Sequence, residues 1–248
     1  MIIFIGTKIS SKIQSPQLHV FEAPDKIGRG REQDTINIKK SEDHAMTNSI
    51  PLISLGFTED KILAGTHICQ IFTDDEERNQ SLLQYMLSGL QSGERAACFS
   101  EKIDETAMEE FLNQNDLSFA ELCRNDAISL SGTREVYFKD NRFDPERMFE
   151  LLADFYQESI ASGFTAARVI GEMTPEVQDL PGGERLIEYE SRVSLLLKKF
   201  PVTSVCQYDA NAFDGATIMD ILKVHPHMVV RGAVVHNPFF IPPEEFLQ

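Results

Sequence analysis

The chain has 248 residues, of which 42% are apolar, and a formal net charge of -16. That is enough apolar material for one large α/β domain with or without an appendage, while the acidity and the lack of any basic stripe argue against nucleic-acid binding and docking on anionic lipid. The charge is unevenly spread: residues 1–60 hold seven basic and eight acidic residues, a net of -1, and the rest carries -15.

Residues 1–57 show little lasting period. "MIIFI" reads as a short strand, too short for a signal sequence. "KISSKIQSPQ" and "APDKIGRGREQDTINIKKSEDHAMTNS" are rich in polar and turn residues. We expect a weakly structured arm over 1–57 with one or two short strands, and a compact domain over 58–248 that begins between Thr58 and Lys61.

From Thr66 onward, strands and helices alternate. "HICQIF" is an apolar strand, and a helix follows over 75–91 with Leu82, Leu83, Met86, Leu87 and Leu90 on one face. Gly93 stops it. "RAACFS" is a second strand, "DETAMEEFLNQN" a helix and "AISLSG" a third strand. "FDPERMFELLADFYQESIASG" is the clearest helix: Asp144 is its N-cap and Pro145 takes the first turn, where a missing N–H costs nothing. Met148, Leu151, Leu152, Phe155, Tyr156 and Ile160 form its expected buried stripe. "AARVIGEM" is a fourth strand. The helix "GERLIEYESRVSLLLKKF" places Lys198 and Lys199 in its last turn, where they suit the macrodipole. "VTSVCQYD" is a fifth strand, "GATIMDILKVH" a helix, and "MVVRGAVVHNPFF" two closing strands around Arg231 and Gly232. This alternation predicts a three-layer α/β fold with a mostly parallel central sheet and helices on both faces.

A nucleotide-binding βαβ unit opens in the same way, with a strand, a turn and a helix. Its turn would read G-x-x-x-x-G-K-[ST], with backbone N–H groups freed by glycine and a lysine on the phosphates. Here the turn is "FTDDEERNQS", with neither glycine nor lysine. Asp74, Asp75, Glu76 and Glu77 would repel a polyphosphate, at about 4 kcal/mol for two unit charges about 4 Å apart at an effective dielectric near 20. Carboxylates at a helix N-terminus have the simpler purpose of complementing its dipole. No G-x-S-x-G elbow and no G-x-G-x-x-G follows a strand, so a nucleophile-elbow hydrolase and a dinucleotide oxidoreductase are also excluded. Cys69, Cys98, Cys123 and Cys206 lack C-x-x-C spacing, which predicts reduced, mostly buried thiols in the cytoplasm and no metal site. No apolar run approaches membrane length.

In an open parallel sheet, ligands bind outside the carboxyl ends of the strands. That rule selects Phe72 and Asp74 after the first strand, Ser100 after the second, and Glu135 and Tyr137 after the third. It selects Glu172 and Met173 at the fourth, Gln207, Tyr208 and Asp209 at the fifth, and His236 near the end. The set suits a small organic ligand with a few polar handles. Each residue also has a plain structural use: Glu172 and Asp209 as caps, Met173 as core. His67 opens its strand at the opposite end and reads as structural, and His225 reads as a turn histidine in "HPH". Of Glu188, Tyr189 and Glu190, at most one or two can point inward.

"LGFTEDKILAGTHICQIF", "SGLQSGERAACFS", "RVIGEM", "EYE", "CQYDANAF" and "HP" followed by "NPFF" resemble, in order and spacing, the MEDS domain, the DcmR-type sensory domain of methanogens and methylotrophs. The resemblance runs from about Leu55 to Phe240. It implies a RecA/KaiC-like fold whose phosphate loop has degenerated, and a sensory role in binding small hydrocarbon derivatives, without cofactor or transferable catalytic residues. Members are often joined to histidine kinases, PAS domains or DNA-binding regions; residues 1–54 resemble none of these. The expectation is therefore a non-catalytic cytoplasmic sensory domain with a small organic ligand and a signalling partner such as a histidine kinase or regulator. It would act without nucleic acid or membrane and with room for a homo-oligomer. Two alternatives stand beside it: a residual nucleotide-binding or metal-dependent hydrolase using Glu172, and a ligand-free oligomeric interaction module.

Overall fold

The computed structural model describes residues 50–103 and 105–248. Seven strands form the main sheet: β3 (His67–Phe72), β4 (Arg95–Phe99), β5 (Ile128–Ser131), β6 (Ala167–Met173), β7 (Val202–Asp209), β8 (His227–Val230) and β9 (Ala233–His236). Their spatial order is β5-β4-β6-β7-β3-β8-β9. Every neighbouring pair is parallel except β8 with β9, which is a hairpin. The inner strands are buried along almost their whole length, β6 at all seven positions, as strands covered on both faces must be.

Helices lie on both faces, as the alternation predicts. Helices α1 (Asp75–Gln91), α2 (Glu105–Gln114) and α3 (Phe119–Arg124) pack on one core with Ile68, Ala96, Cys98, Ile170 and Val205. Helices α5 (Pro145–Ala161), α6 (Leu186–Leu196) and α7 (Gly215–Val224) pack on the other with Cys69, Ala97, Val169 and Val202. The short helix α4 (Thr133–Tyr137) follows β5, and α8 (Pro243–Phe246) follows the last hairpin. Caps fix where the long helices start. The Asp144 carboxylate accepts from the N–H groups of Glu146 and Arg147 at 3.2 and 3.4 Å. Asp214 does the same for Ala216 and Thr217 at 2.8 and 3.0 Å. Past the end of α1, Gly93 adopts φ +73°, a left-handed conformation that suits a helix stop.

Some expectations change. β1 (Leu52–Ser54) pairs with β2 (Lys61–Leu63) in an antiparallel ladder, and Ile53 and Leu55 are buried. Residues 50–57 thus join the compact unit, upstream of its expected start; the rest of the expected arm, with the "MIIFI" strand, lies outside the described residues. Ile160, placed in the buried stripe of α5, is 43% exposed because the buried line of the helix runs through Met148, Leu152 and Ser159 instead. Lys198 and Lys199 fall beyond α6, in a tightened turn where the N–H groups of Lys199 and Phe200 both bond the Leu196 carbonyl.

Candidate functional site

The pleat of the sheet splits the sequence-selected rim residues between the two faces. Successive side chains of a strand point to opposite sides, so Glu172 and Gln207 face α1 whereas Met173 and Tyr208 face α5–α7.

On the α1 face the sequence places four charges together at the carboxyl edge. Glu172 is 3% exposed. Its Oε2 accepts from Ser100 Oγ at 2.9 Å, and its Oε1 lies 2.9 Å from Lys102 Nζ. Arg78, from the first turns of α1, is 1% exposed and brings Nη1 to 3.7 Å from Glu172 Oε2. Its Nε bonds Asp75 Oδ1 at 3.3 Å, and Lys102 Nζ bonds the same Asp75 oxygen at 2.8 Å. The hydrogen bond from Lys102 holds the Asp75 carboxyl below its usual range. Phe72 floors the cluster, with Lys102 Nζ 5.3 Å and the Arg78 guanidinium 5.6 Å from its ring centre. Two cations and two carboxylates leave the cluster neutral. Hydrogen-bonding capacity is left over beside it: Arg78 Nη1 and the Oε1 of Gln207, whose Nε2 bonds the Arg78 carbonyl, are buried without a hydrogen-bond partner.

Beside this cluster, the turn 72–81 disposes of its own helix N-terminus. The Asp74 carboxylate accepts from the N–H groups of Glu76 and Glu77 at 2.8 and 2.9 Å. These are the donors a phosphate would use at a helix start. The chain has filled its anion site with its own side chain.

The remaining sequence-selected residues have other places. Tyr137 packs edge-on against Phe99, 5.9 Å between ring centres, over Gly171 on the α5–α7 face. Met173 is in the same core. Glu135 is exposed on α4. The Asp209 carboxylate accepts from the Asn211 N–H at 2.8 Å, closing a local turn. His236 is not at the rim. The β8–β9 hairpin turns the chain back, so His236 pairs with His227, and His227 pairs with Ile68 near the start of β3. His236 thus stands toward the amino end of the sheet, four strands, or about 19 Å, from β6.

The α5–α7 face carries a second constellation, which the sequence reading did not assemble. His67 from β3, Glu190 from α6, Cys206 from β7 and His225 at the end of α7 bring one donor atom each to within 4.8 Å of one another. His67 Nε2 lies 3.3 Å and His225 Nε2 3.4 Å from Glu190 Oε2. Cys206 Sγ lies 3.4 Å from His67 Nε2 and 3.8 Å from Glu190 Oε2. Tyr208 donates its hydroxyl to Glu190 Oε1 at 2.6 Å, and His67 Nδ1 contacts Ser194 Oγ at 3.0 Å. Burial, and His225 beside it, push the His67 imidazole down to about 4, so it is neutral at pH 7. Burial opposes ionisation of Glu190, but the two imidazoles beside it, His225 and His67, outweigh it and hold the carboxyl well below its usual range. Cysteine spacing could not reveal this group, because strand pairing and helix packing bring Cys206 to His67 across 139 residues of chain, with His225 further on still. The usable signal was a buried acid in α6: Tyr189 and Glu190 both point inward.

Residues 66–226 match the family described as MEDS, the methanogen/methylotroph DcmR sensory domain. The transcriptional repressor DcmR of Methylorubrum extorquens (strain DSM 6343 / CIP 106787 / DM4) is 27% identical over 139 residues, 50% of this chain and 52% of that protein. The chain thus spans about half the length of this curated relative. Among solved structures, the KaiC-like protein PH0186 of Pyrococcus horikoshii OT3 superposes with a TM-score of 0.51 at 12% identity, covering 73% of this chain and 80% of the other. The flagellar accessory protein FlaH of Methanocaldococcus jannaschii gives 0.51 at 9% identity, covering 69% and 75%. Both likenesses establish the fold. Among the described residues, no helix is long and apolar enough to cross a membrane.

Proposed function

We propose a ligand-sensing role for this chain, which belongs to the MEDS family of sensory domains, with a small oxygenated hydrocarbon derivative binding at the carboxyl edge of the sheet. The observation that carries this reading is Arg78: a guanidinium 1% exposed, with Nη1 lacking a hydrogen-bond partner and 3.7 Å from Glu172. A carbonyl or carboxylate oxygen of the ligand accepts from Arg78 Nη1, and a hydroxyl donates to Gln207 Oε1. Both bonds satisfy buried groups that otherwise cost about 1–3 kcal/mol each. Because the four-charge cluster is neutral, a ligand that engages Arg78 loosens its hold on Glu172 and thereby frees Lys102 and the start of α1. Occupancy biases that edge between two arrangements, and a protein partner reads the difference.

The role is non-catalytic on this reading. Asp74 occupies the amide donors that a nucleotide phosphate would need, and Glu172 is engaged by Ser100, Lys102 and Arg78 rather than held ready as a base. A partner of the histidine-kinase or regulator class receives the signal in the cytoplasm.

Native mass spectrometry of the freshly purified chain weighs any retained molecule. Thermal shift against small alcohols, ketones and carboxylic acids then ranks candidates. A stabilising compound should lose most of its effect in Arg78→Gln, and equal stabilisation of both proteins would sink the assignment. A second reading, an interaction module without a ligand, draws on one observation: Leu52 and Leu63, opposite each other across β1 and β2, are 61% and 53% exposed. A native mass equal to the bare chain, with no compound shifting its melting, would favour that reading.

A further inference from the structure

We infer that His67, Glu190, Cys206 and His225 bind a divalent transition-metal ion of the zinc class, between the sheet and helices α6 and α7, independently of the sensory reading.

Three observations converge. The first is the donor set. Two imidazoles, a thiol and a carboxylate are the ligand types that zinc takes in closed protein sites. The second is spacing. A tetrahedral ion with bonds of about 2.0–2.3 Å sets its donor atoms about 3.3–3.8 Å apart. Of the six separations among the four donor atoms, four are 3.3, 3.4, 3.4 and 3.8 Å, and all six lie within 4.8 Å. The third is the state of the ring nitrogens. His225 Nδ1 lies 2.8 Å from the Ile221 carbonyl, which can only accept, so Nδ1 carries a proton and Nε2 is the nitrogen turned to the cluster. Fully buried, that Nε2 has no hydrogen-bond partner. It faces Glu190 Oε2 at 3.4 Å, so a cation seated between them engages both atoms as ligands.

The surroundings match an outer shell. Metal-bound histidines donate their second N–H to a carbonyl or other acceptor, and ligating carboxylates are themselves hydrogen-bonded. His225 has the Ile221 carbonyl, His67 has Ser194 Oγ, and Glu190 has the Tyr208 hydroxyl. Charge balances as well. A divalent ion with the Glu190 carboxylate and the Cys206 thiolate is neutral, and binding releases the thiol proton to solvent. All four corners are protein atoms, leaving no open position for a substrate, so the ion acts as a staple joining β3 and β7 to α6 and the end of α7.

The test uses the full chain, purified without chelator or affinity-tag histidines. Elemental analysis should find about one zinc-class ion per chain. After removal, Co²⁺ should restore a tetrahedral visible spectrum with a thiolate-to-cobalt charge-transfer band, which added Zn²⁺ abolishes. Cys206→Ser should lose that band, and Tyr208→Phe should weaken affinity about 10–100-fold. Metal-free protein that also gives no cobalt spectrum would overturn the inference. So would a cobalt spectrum without thiolate character, which is decisive in the wild type even if Cys206→Ser fails to fold. A spectrum unchanged by Cys206→Ser in folded protein would place the ion elsewhere and also refute the assignment.

Discussion

Arg168 on β6 grips Glu94, the residue before β4, with both arms of its guanidinium, Nε to Oε2 at 2.8 Å and Nη2 to Oε1 at 2.5 Å, and the two residues are 0% and 2% exposed. Nη1 and Nη2 also bond the carbonyls of Tyr85 and Ser54 at 2.7 and 3.1 Å, and the guanidinium lies 4.7 Å from the Tyr85 ring centre. One side chain thus ties β1, α1 and β4 to β6. Removing one member of such a buried pair strands the other's charge, at about 3–5 kcal/mol. Glu94→Gln should lose about that much in urea unfolding, whereas the double variant Glu94→Gln with Arg168→Met should recover part of it. Equal losses from single and double variants would show that the pair is not coupled.

Gly89 lies inside α1, where alanine normally gains up to about 1 kcal/mol in helix propensity. Here a Cβ would stand 2.3 Å from Arg168 Nε and 2.5 Å from its Cδ. Gly89→Ala should therefore destabilise, with the guanidinium displaced from its carbonyl partners. In a domain of this size each kcal/mol lost lowers the melting temperature by about 2–4 °C. A rise in melting temperature would show that the arginine relaxes freely.

Asp74 both caps α1 and occupies its amide donors. Asp74→Ala should cost about 0.5–2 kcal/mol as a lost N-cap. ATP with magnesium should not raise the melting temperature of the parent chain. A stabilisation of several degrees that Glu172→Gln abolishes would reinstate nucleotide binding.

Glu188 sits between two arginines. It accepts from Arg185 at 2.9 and 2.8 Å and from Arg192 at 3.0 Å, while Arg192 also reaches Glu146 on α5. The hydrogen bonds of Arg185, with those of Arg192, lower its carboxyl from 4.5 to about 2. A depressed folded value means that the unfolded chain takes up the proton first. The contribution is therefore present above about pH 4.5 and disappears as the pH falls toward about 2. The group is 36% exposed, so solvent screening keeps the effect below about 1 kcal/mol. Glu188→Gln should lower the melting temperature at pH 7 and flatten its decline across that acid window. An unchanged acid slope would refute the linkage.

Local sequence determined the elements. The helix over 75–91, its cap and the five parallel strands from β3 to β7 were legible because periodicity, capping and glycine stops act within a few residues of one another. So was the loss of the phosphate cradle, since that cradle needs particular residues in one turn. The β1–β2 hairpin was not, because strands of three residues carry too little period to read. Tertiary structure alone decided which residues meet. β7, late in the chain, inserts between β6 and β3, and this brings Cys206 to His67 across 139 residues. The pleat then sends Glu172 and Tyr208 to opposite faces, dividing one predicted rim into a charged edge and a buried cluster. Arg78, which the reading of the acidic turn passed over, became its central cation only when β6 delivered Glu172 beside it. A chain's local preferences are set by neighbouring residues. Partners across a sheet are set by strand order and register, and those are properties of the whole fold.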